Sequence, residues 1–298
     1  MITVALLLFF NNYNRITLKI FHHREDLAKE IGIFRKKGKS IGFVPTMGSL
    51  HKGHMSLIHL ANEQCDVVVC SIFVNPTQFN DPLDYQLYPK HIDTDTALLQ
   101  VANCDLLYLP DVNDVYPQGI NKESYPINSI GSVLEGKYRP GHFDGVIEVV
   151  KRLFEIVDAD RAYFGMKDYQ QLAVIRWMVK HFKMNIEIIG GPIIRSDSGL
   201  ALSSRNERLS QEELKSALKL SKSLFYVQDN YKEVDFNTLR KQLVSSLEED
   251  ENIQVEYFEL ANAIDLQPIS NFQEAKSVGV FLAAQVGKVR LIDNVVLF

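Results

Sequence analysis

Two histidines stand three positions apart with a glycine directly before the second: His51-Lys52-Gly53-His54. If a helix starts here, both rings share one face, because residues three apart are helical neighbours. Imidazoles at the positive end of a helix suit an anion such as phosphate. The plainer readings are a helix cap, a packed ring, or half of a zinc site, although no Cys or carboxylate stands nearby at a recognisable ligand spacing. A second constellation is Ser203-Ser204-Arg205-Asn206. Two hydroxyls and a guanidinium form a compact donor set for phosphate oxygens, with Arg able to bind bidentately; a helix cap is again the alternative. A third is Gly165-Met166-Lys167-Asp168-Tyr169-Gln170-Gln171, charged and amide groups following a glycine.

Positioning the histidines falls to residues 41–61. Residues 41–44 are a short apolar run followed by Pro45, Thr46, Met47 and Gly48, the pattern of a buried parallel strand ending in a loop. Met55, Leu57, Ile58 and Ala61 then recur at helical spacing. A strand, tight loop and helix in that order present unpaired backbone N–H groups, here near Met47 and Gly48, to an anion, and Gly53 lets a ligand approach the backbone closely.

The same alternation continues. Helical spacing predicts a helix over 25–37, and the β-branched residues 66–74 a second strand running into Asn75-Pro76-Thr77-Gln78-Phe79. Residues 94–102 read as a helix, 106–109 as a strand, 145–157 as a helix, 162–164 as a short strand, 171–181 as a helix and 186–189 as a strand. Alternating strands and helices imply an α/β fold with a Rossmann-like parallel sheet and ligands at the carboxyl ends of its strands. Gly190-Gly191-Pro192 breaks the chain, so residues 1–192 are expected to form the catalytic domain. Residues 193–298 are expected to form a smaller α+β lid domain carrying the Ser203-Ser204-Arg205 loop, with helices at 211–228 and 236–249 before strands at 253–260, 277–284 and 288–292. Residues 248–251, all acidic, read as a solvated helix end. The apolar run 4–10 is too short to span a bilayer and lacks the flanks of a signal peptide; it reads as a strand or an extension, and residues 1–14 as an addition or the product of an upstream start.

The formal net charge is -5, with no basic block longer than Arg35-Lys36-Lys37. A nucleic-acid partner is therefore not expected, since that requires a basic stripe, and neither is a membrane. Cys65, Cys70 and Cys104 form no CxxC pair, which fits a reducing cytoplasm.

The run PTMGSLHKGH at 45–54 resembles the pantothenate synthetase (pantoate–β-alanine ligase) family of the HxGH nucleotidyltransferase superfamily. The likeness continues in order through SIFVNPTQF (71–79), the region around Arg139 and His142, FGMKDYQQL (164–172) and GLALSSRN (199–206), and covers roughly residues 16–298; five ordered motifs make chance agreement implausible. It implies that pantoate's carboxylate attacks the α-phosphorus of ATP, releasing pyrophosphate, and that β-alanine then attacks the pantoyl adenylate, releasing AMP. It also implies Mg²⁺ and a homodimer.

Carried over residue by residue, the resemblance gives an ATP site of Pro45, Thr46, Met47, Gly48, Ser49, Leu50, His51, Lys52, Gly53, His54, Gly165, Met166, Lys167, Asp168, Ile194, Leu202, Ser203, Ser204 and Arg205. His54 would be the proton donor, with His51, Lys167, Ser203, Ser204 and Arg205 stabilising charge; one good donor is worth roughly 10²- to 10³-fold in rate. Gln78 and Gln171, with Asn75 and Arg139, would hold pantoate and β-alanine, and a neutral amide orients a carboxylate without the loss of nucleophilicity that a tight Arg pair brings. Asp95 is the candidate Mg²⁺ ligand, although Asp93-Thr94-Asp95 stands where many relatives carry adjacent acids. Met166 occupies a commonly acidic position. The rival readings are a nucleotidyltransferase that stops after nucleotide transfer, a nucleotide-binding module without chemistry, and a tRNA-binding synthetase remnant, which the acidic balance disfavours.

Overall fold

A computed structural model describes residues 17–80, 82–120 and 123–298; the apolar run at 4–10 lies outside them. Among the described residues, six parallel strands form one sheet in the order β1-β4-β3-β2-β5-β6: β1 Lys19–Phe21, β2 Ile41–Thr46, β3 Val67–Ile72, β4 Leu106–Tyr108, β5 Arg161–Gly165 and β6 Glu187–Gly191. β3 is buried along its whole length, as a central parallel strand with both faces covered must be. β1 has no counterpart in the sequence analysis. Its three residues, KIF, alternate neither in polarity nor in burial, and β4 alone holds it at the sheet edge.

Helices cover both faces: α1 Arg24–Lys36, α2 Lys52–Gln64, α3 Ile92–Val101, α4 His142–Val157 and α5 Tyr169–His181. α1 buries Leu27, Ile31 and Phe34 and carries acid in its first turn and base in its last, matching the helix dipole. α4 buries the expected Val146, Val149, Val150, Leu153 and Val157, but it starts at His142, before the expected position 145. Gly141 precedes it at φ 77, a conformation that suits a residue without a side chain. The expected break at Gly190-Gly191 lies later, since both glycines pair with β5 as part of β6.

Beyond β6 come α6 Gln211–Asn230 and α7 Phe236–Glu248, then an antiparallel sheet of β7 Ile253–Asn262, β8 Val278–Val286 and β9 Val289–Val296. One face of this sheet packs with α6 and α7 around Leu220, Leu224, Leu239, Phe258 and Leu282. Tyr257, Phe281 and Ala283 pack instead against Leu134 and Tyr169 of the first unit. A buried ion network reinforces that seam: Glu135 accepts from Arg290 at 2.7 and 2.8 Å and from the Tyr257 hydroxyl at 2.7 Å.

Candidate active site

From β2 the strand order runs outward through β3 and β4, and the chain then returns to the other side of β2 as β5. That reversal opens a crevice beyond the carboxyl ends of β2 and β5. A cavity of about 200 Å³ lies there. It is lined by Pro45 and Thr46 at the end of β2 and Met47, His51, Gly53 and His54 after it, by Asn75 and Gln78 after β3, and by Gly165 at the end of β5 and Lys167, Asp168 and Gln171 after it. Ile194, Leu202, Ser203, Ser204 and Arg205 complete it from the segment after β6.

His51 caps α2: its Nδ1 accepts the Gly53 N–H at 3.1 Å, while His54 Nδ1 accepts the His51 N–H at 3.2 Å. The rings lie with centroids 4.1 Å apart. Each Nδ1 accepts a hydrogen bond, so each neutral ring carries its proton on Nε2 and has that N–H as its remaining donor. Burial, followed by the Lys167 charge, holds His51 down to about 4. His54 lies well below its usual value through burial and its neighbours His51 and Lys167. Both rings are therefore neutral at pH 7.

The loop between β2 and α2 differs from the bare backbone nest that its pattern suggests. Gly48 N–H donates to Thr46 Oγ1 at 3.2 Å, and Ser49 and Leu50 N–H donate to the Asp95 carboxylate at 2.8 and 2.7 Å. Gly48 and Ser49 both have positive φ, 84 and 49, and this turn aims their N–H groups inward. Gly53 lines the cavity, and a Cβ there would meet the His51 ring at 2.8 Å, so the missing side chain also makes room for the capping imidazole. With Gly48, Ser49 and Leu50 N–H engaged within the loop, the imidazole N–H groups are donors it turns to an anion.

Asp95, the candidate metal ligand, is buried and committed to those two backbone groups through both oxygens, because α3 starts early enough to bring its first turn under the loop. Among the described residues no group of three or more His, Cys, Asp or Glu could hold a metal ion. The residues present do not fit a resident metal.

Ser203 caps the 3-10 turn Ser204–Arg208, so its cap reading holds, and it lines the cavity as well. Ser204 Oγ donates to Ser49 O at 2.9 Å and ties this turn to the histidine loop. Arg205 and Arg208 both donate to Asp84 at 2.8 Å, and the Arg205 guanidinium lies 5.8 Å from the Tyr88 ring centroid. Lys167 Nζ is 3.5 Å from the carboxylate of Asp168.

Asn75 is 1 % exposed and donates to Gly145 O at 3.1 Å and to Gln78 Oε1 at 3.2 Å. A Cβ on Gly145 would lie 2.6 Å from Thr77 O, so α4 rests directly on this turn. His142 Nδ1 lies 2.8 Å from Gln78 O. The adjacent glutamines of α5 divide: Gln170 is buried and bonds Glu135 N–H, Ile130 O and Val133 O, while Gln171 lines the cavity.

Gly48, Ser49, Leu50, Lys52 and Met166 are not among the cavity's lining residues, and neither is Arg139. Arg139 lines an adjoining cavity of about 260 Å³ and pairs with Glu135 at 3.4 Å; the two cavities share Lys167, Asp168, Ser203 and Arg205 on their walls. Sequence reasoning missed the apolar wall: Leu57, Phe73, Val146, Val149, Val150, Leu153 and Phe164 also line the site. Their helical and strand periodicity reads as core, and periodicity does not distinguish a core from a cavity floor.

A model of the family described as pantoate-beta-alanine ligase matches residues 19–296. The chain is 44% identical over 282 residues to a pantothenate synthetase of Acetivibrio thermocellus, covering 94% of this chain and 99% of that protein. It resembles the crystal structure of a Thermus thermophilus pantothenate synthetase with a TM-score of 0.87 and 36% identity, over 94% of this chain and 99% of that one. It also resembles a Francisella tularensis pantoate-beta-alanine ligase complexed with β-γ ATP and β-alanine, with a TM-score of 0.80, 38% identity, and coverage of 94% and 98% of the two chains.

Proposed function

This chain belongs to the pantoate–β-alanine ligase family, and from that premise we propose that its ATP-dependent synthesis of pantothenate runs through a pantoyl adenylate formed in the cavity beside β2 and β5. The observation that carries this reading is the composition of one cavity. Neutral amides from Gln78 and Gln171 share it with His51, His54, Lys167, Ser203, Ser204 and Arg205, so a carboxylate nucleophile and a triphosphate have matching partners in the same space.

In the first step a pantoate carboxylate oxygen bonds to the α-phosphorus of ATP, and the bond from that phosphorus to pyrophosphate breaks. Gln78 and Gln171 orient the nucleophile. Lys167, Arg205 and the Ser203 hydroxyl face the charge on the phosphates, while Ser204, whose hydroxyl donates to Ser49 O, holds the turn that carries Ser203 and Arg205. Fixed donors so placed stabilise the transition state most where water is excluded. His51 and His54 act as neutral Nε2–H donors that hydrogen-bond the departing pyrophosphate, each keeping its proton while its Nδ1 stays an acceptor. In the second step the amine of β-alanine bonds to the acyl carbon, the bond to AMP breaks, and the amine loses a proton.

The Mg²⁺ that the family likeness implies would come as part of the nucleotide substrate and would supply neutralisation of phosphate charge. Arg205 leaves Asp84 to reach the phosphates, with residues 193–298 acting as the lid domain that carries it. The protein works as a cytoplasmic homodimer, on family likeness; light scattering checks the dimer. No helix among the described residues is long and apolar enough to cross a membrane.

The test is pyrophosphate release with ATP, Mg²⁺ and pantoate, with and without β-alanine. Sustained turnover only with β-alanine, with AMP and pantothenate formed in step, is expected. AMP formation that needs no pantoate would overturn the adenylate route.

A further inference from the structure

Asp293 and Asn294, in β9, are polar residues only 5 % and 4 % exposed, and they pair with Leu282 and Phe281 of β8. Buried polar groups persist where they are fully hydrogen-bonded. The Asn294 amide donates to two carbonyls, Met166 O at 3.1 Å and Lys167 O at 2.8 Å. Two acceptors facing the same atom identify it as the NH₂. Asp293 accepts a fork of bonds from Arg195 at 2.6 and 2.9 Å. Arg195 in turn pairs across a hairpin with Ala201, just before Ser203. One dipeptide of the C-terminal sheet thus ties down both segments that bring cations to the cavity.

The two tethers differ in consequence. Arg195 stays outside the cavity, whereas Lys167 lines it. Among the described residues the Lys167 ammonium has the carboxylate of Asp168 beside it at 3.5 Å, a long contact, so the fixed point from which this side chain reaches inward is its own backbone. The backbone turn at Met166–Asp168 is a short 3-10 segment without a side-chain cap, and its carbonyls are held from a strand 127 and 128 positions away.

We propose that Asn294 is a positioning residue for the ligase reaction: by clamping the carbonyls of Met166 and Lys167 it fixes where the Lys167 ammonium meets the phosphates. The proposal rests on the reading of the cavity as the adenylate-forming site. A displacement of about 1 Å in a reacting group's partner costs up to about 100-fold in rate. Asn294→Leu keeps the shape and removes both donors. The readout is single-turnover pyrophosphate release from ATP and pantoate by wild type, Asn294→Leu, Lys167→Ala and the double variant, each first checked for native circular dichroism and a cooperative thermal transition.

Asn294→Leu is expected to lower the rate about tenfold or more with KM for pantoate changed less than about twofold, and the double variant to be no slower than Lys167→Ala alone, because a residue that acts only through Lys167 adds nothing once that lysine is gone. Multiplying effects in the double variant, or an unchanged rate in Asn294→Leu, would overturn the proposal. If Asn294→Leu does not fold, Asn294→Ser takes its place in the same cycle. Absence of pantoate-dependent pyrophosphate release from wild type would instead refute the adenylate reading beneath it.

Discussion

Gln78 and the histidines show how little of a side chain's role lies in its type alone. Gln78 stands in the cavity wall with its amide nitrogen 3.2 Å from Met47 Sδ, a weak partner that leaves the amide free for the proposed role toward a carboxylate. Gln78→Ala is expected to raise KM for pantoate about tenfold or more and KM for ATP less than about twofold, measured in steady state; equal effects on both would remove it from the pantoate side. His142 is held to about 3 by burial first and the Arg139 charge second, against the usual 6.5. It stays neutral in the folded protein while the unfolded chain takes up a proton near pH 6.5. The stability tied to this neutral ring is whole above that value and declines as pH falls toward about 3, where the folded protein also protonates. Thermal midpoints measured from pH 7 down to 4 should therefore fall less steeply in His142→Asn than in wild type. Identical slopes would show that His142 contributes nothing to the acid limb.

At the scale of elements, the strand and helix that frame the histidines were legible because their apolar residues follow one period each. β1 was not, since three residues at a sheet edge carry no period, and its pairing depends wholly on β4. The histidine pair was legible from HxGH, but the destination of the neighbouring N–H groups was not: Asp95 lies 46 positions from Ser49, and nothing local announces that its carboxylate ends beneath the loop. Burial pushes Asp95 up while the Leu50 and Ser49 hydrogen bonds pull it down. Asp95→Ala leaves two buried donors without partners, at about 1–3 kcal/mol each. Urea denaturation is expected to register a loss of that order, with the Mg²⁺ concentration for half-maximal activity unchanged. A strong rise in the Mg²⁺ requirement at unchanged stability would return Asp95 to the metal.

Across the whole molecule, the seam between the two units depends on Glu135. Burial works against its charge, but the hydrogen bonds and charge of Arg290 outweigh it, with help from Tyr257, and hold the carboxyl at about 2. Arg290 also pairs with Glu256. Arg290→Ala removes the closest cation from the buried Glu135 carboxylate, leaving it Arg139 at 3.4 Å and the Tyr257 hydroxyl, and is expected to lower unfolding stability by about 1.5–3 kcal/mol, read by urea denaturation at pH 7. A loss under about 1 kcal/mol would mean the network is solvated in solution. The clamp of β9 on the turn at Met166–Asp168 has a consequence in time. During synthesis β2, β3 and β5 emerge well before β9, and domains generally fold as they emerge. Gln78 and Gln171 are therefore synthesised well before the strand that anchors the lysine turn. On the role proposed for Asn294, nucleotide turnover at its full rate waits for the last strand of the final sheet to dock.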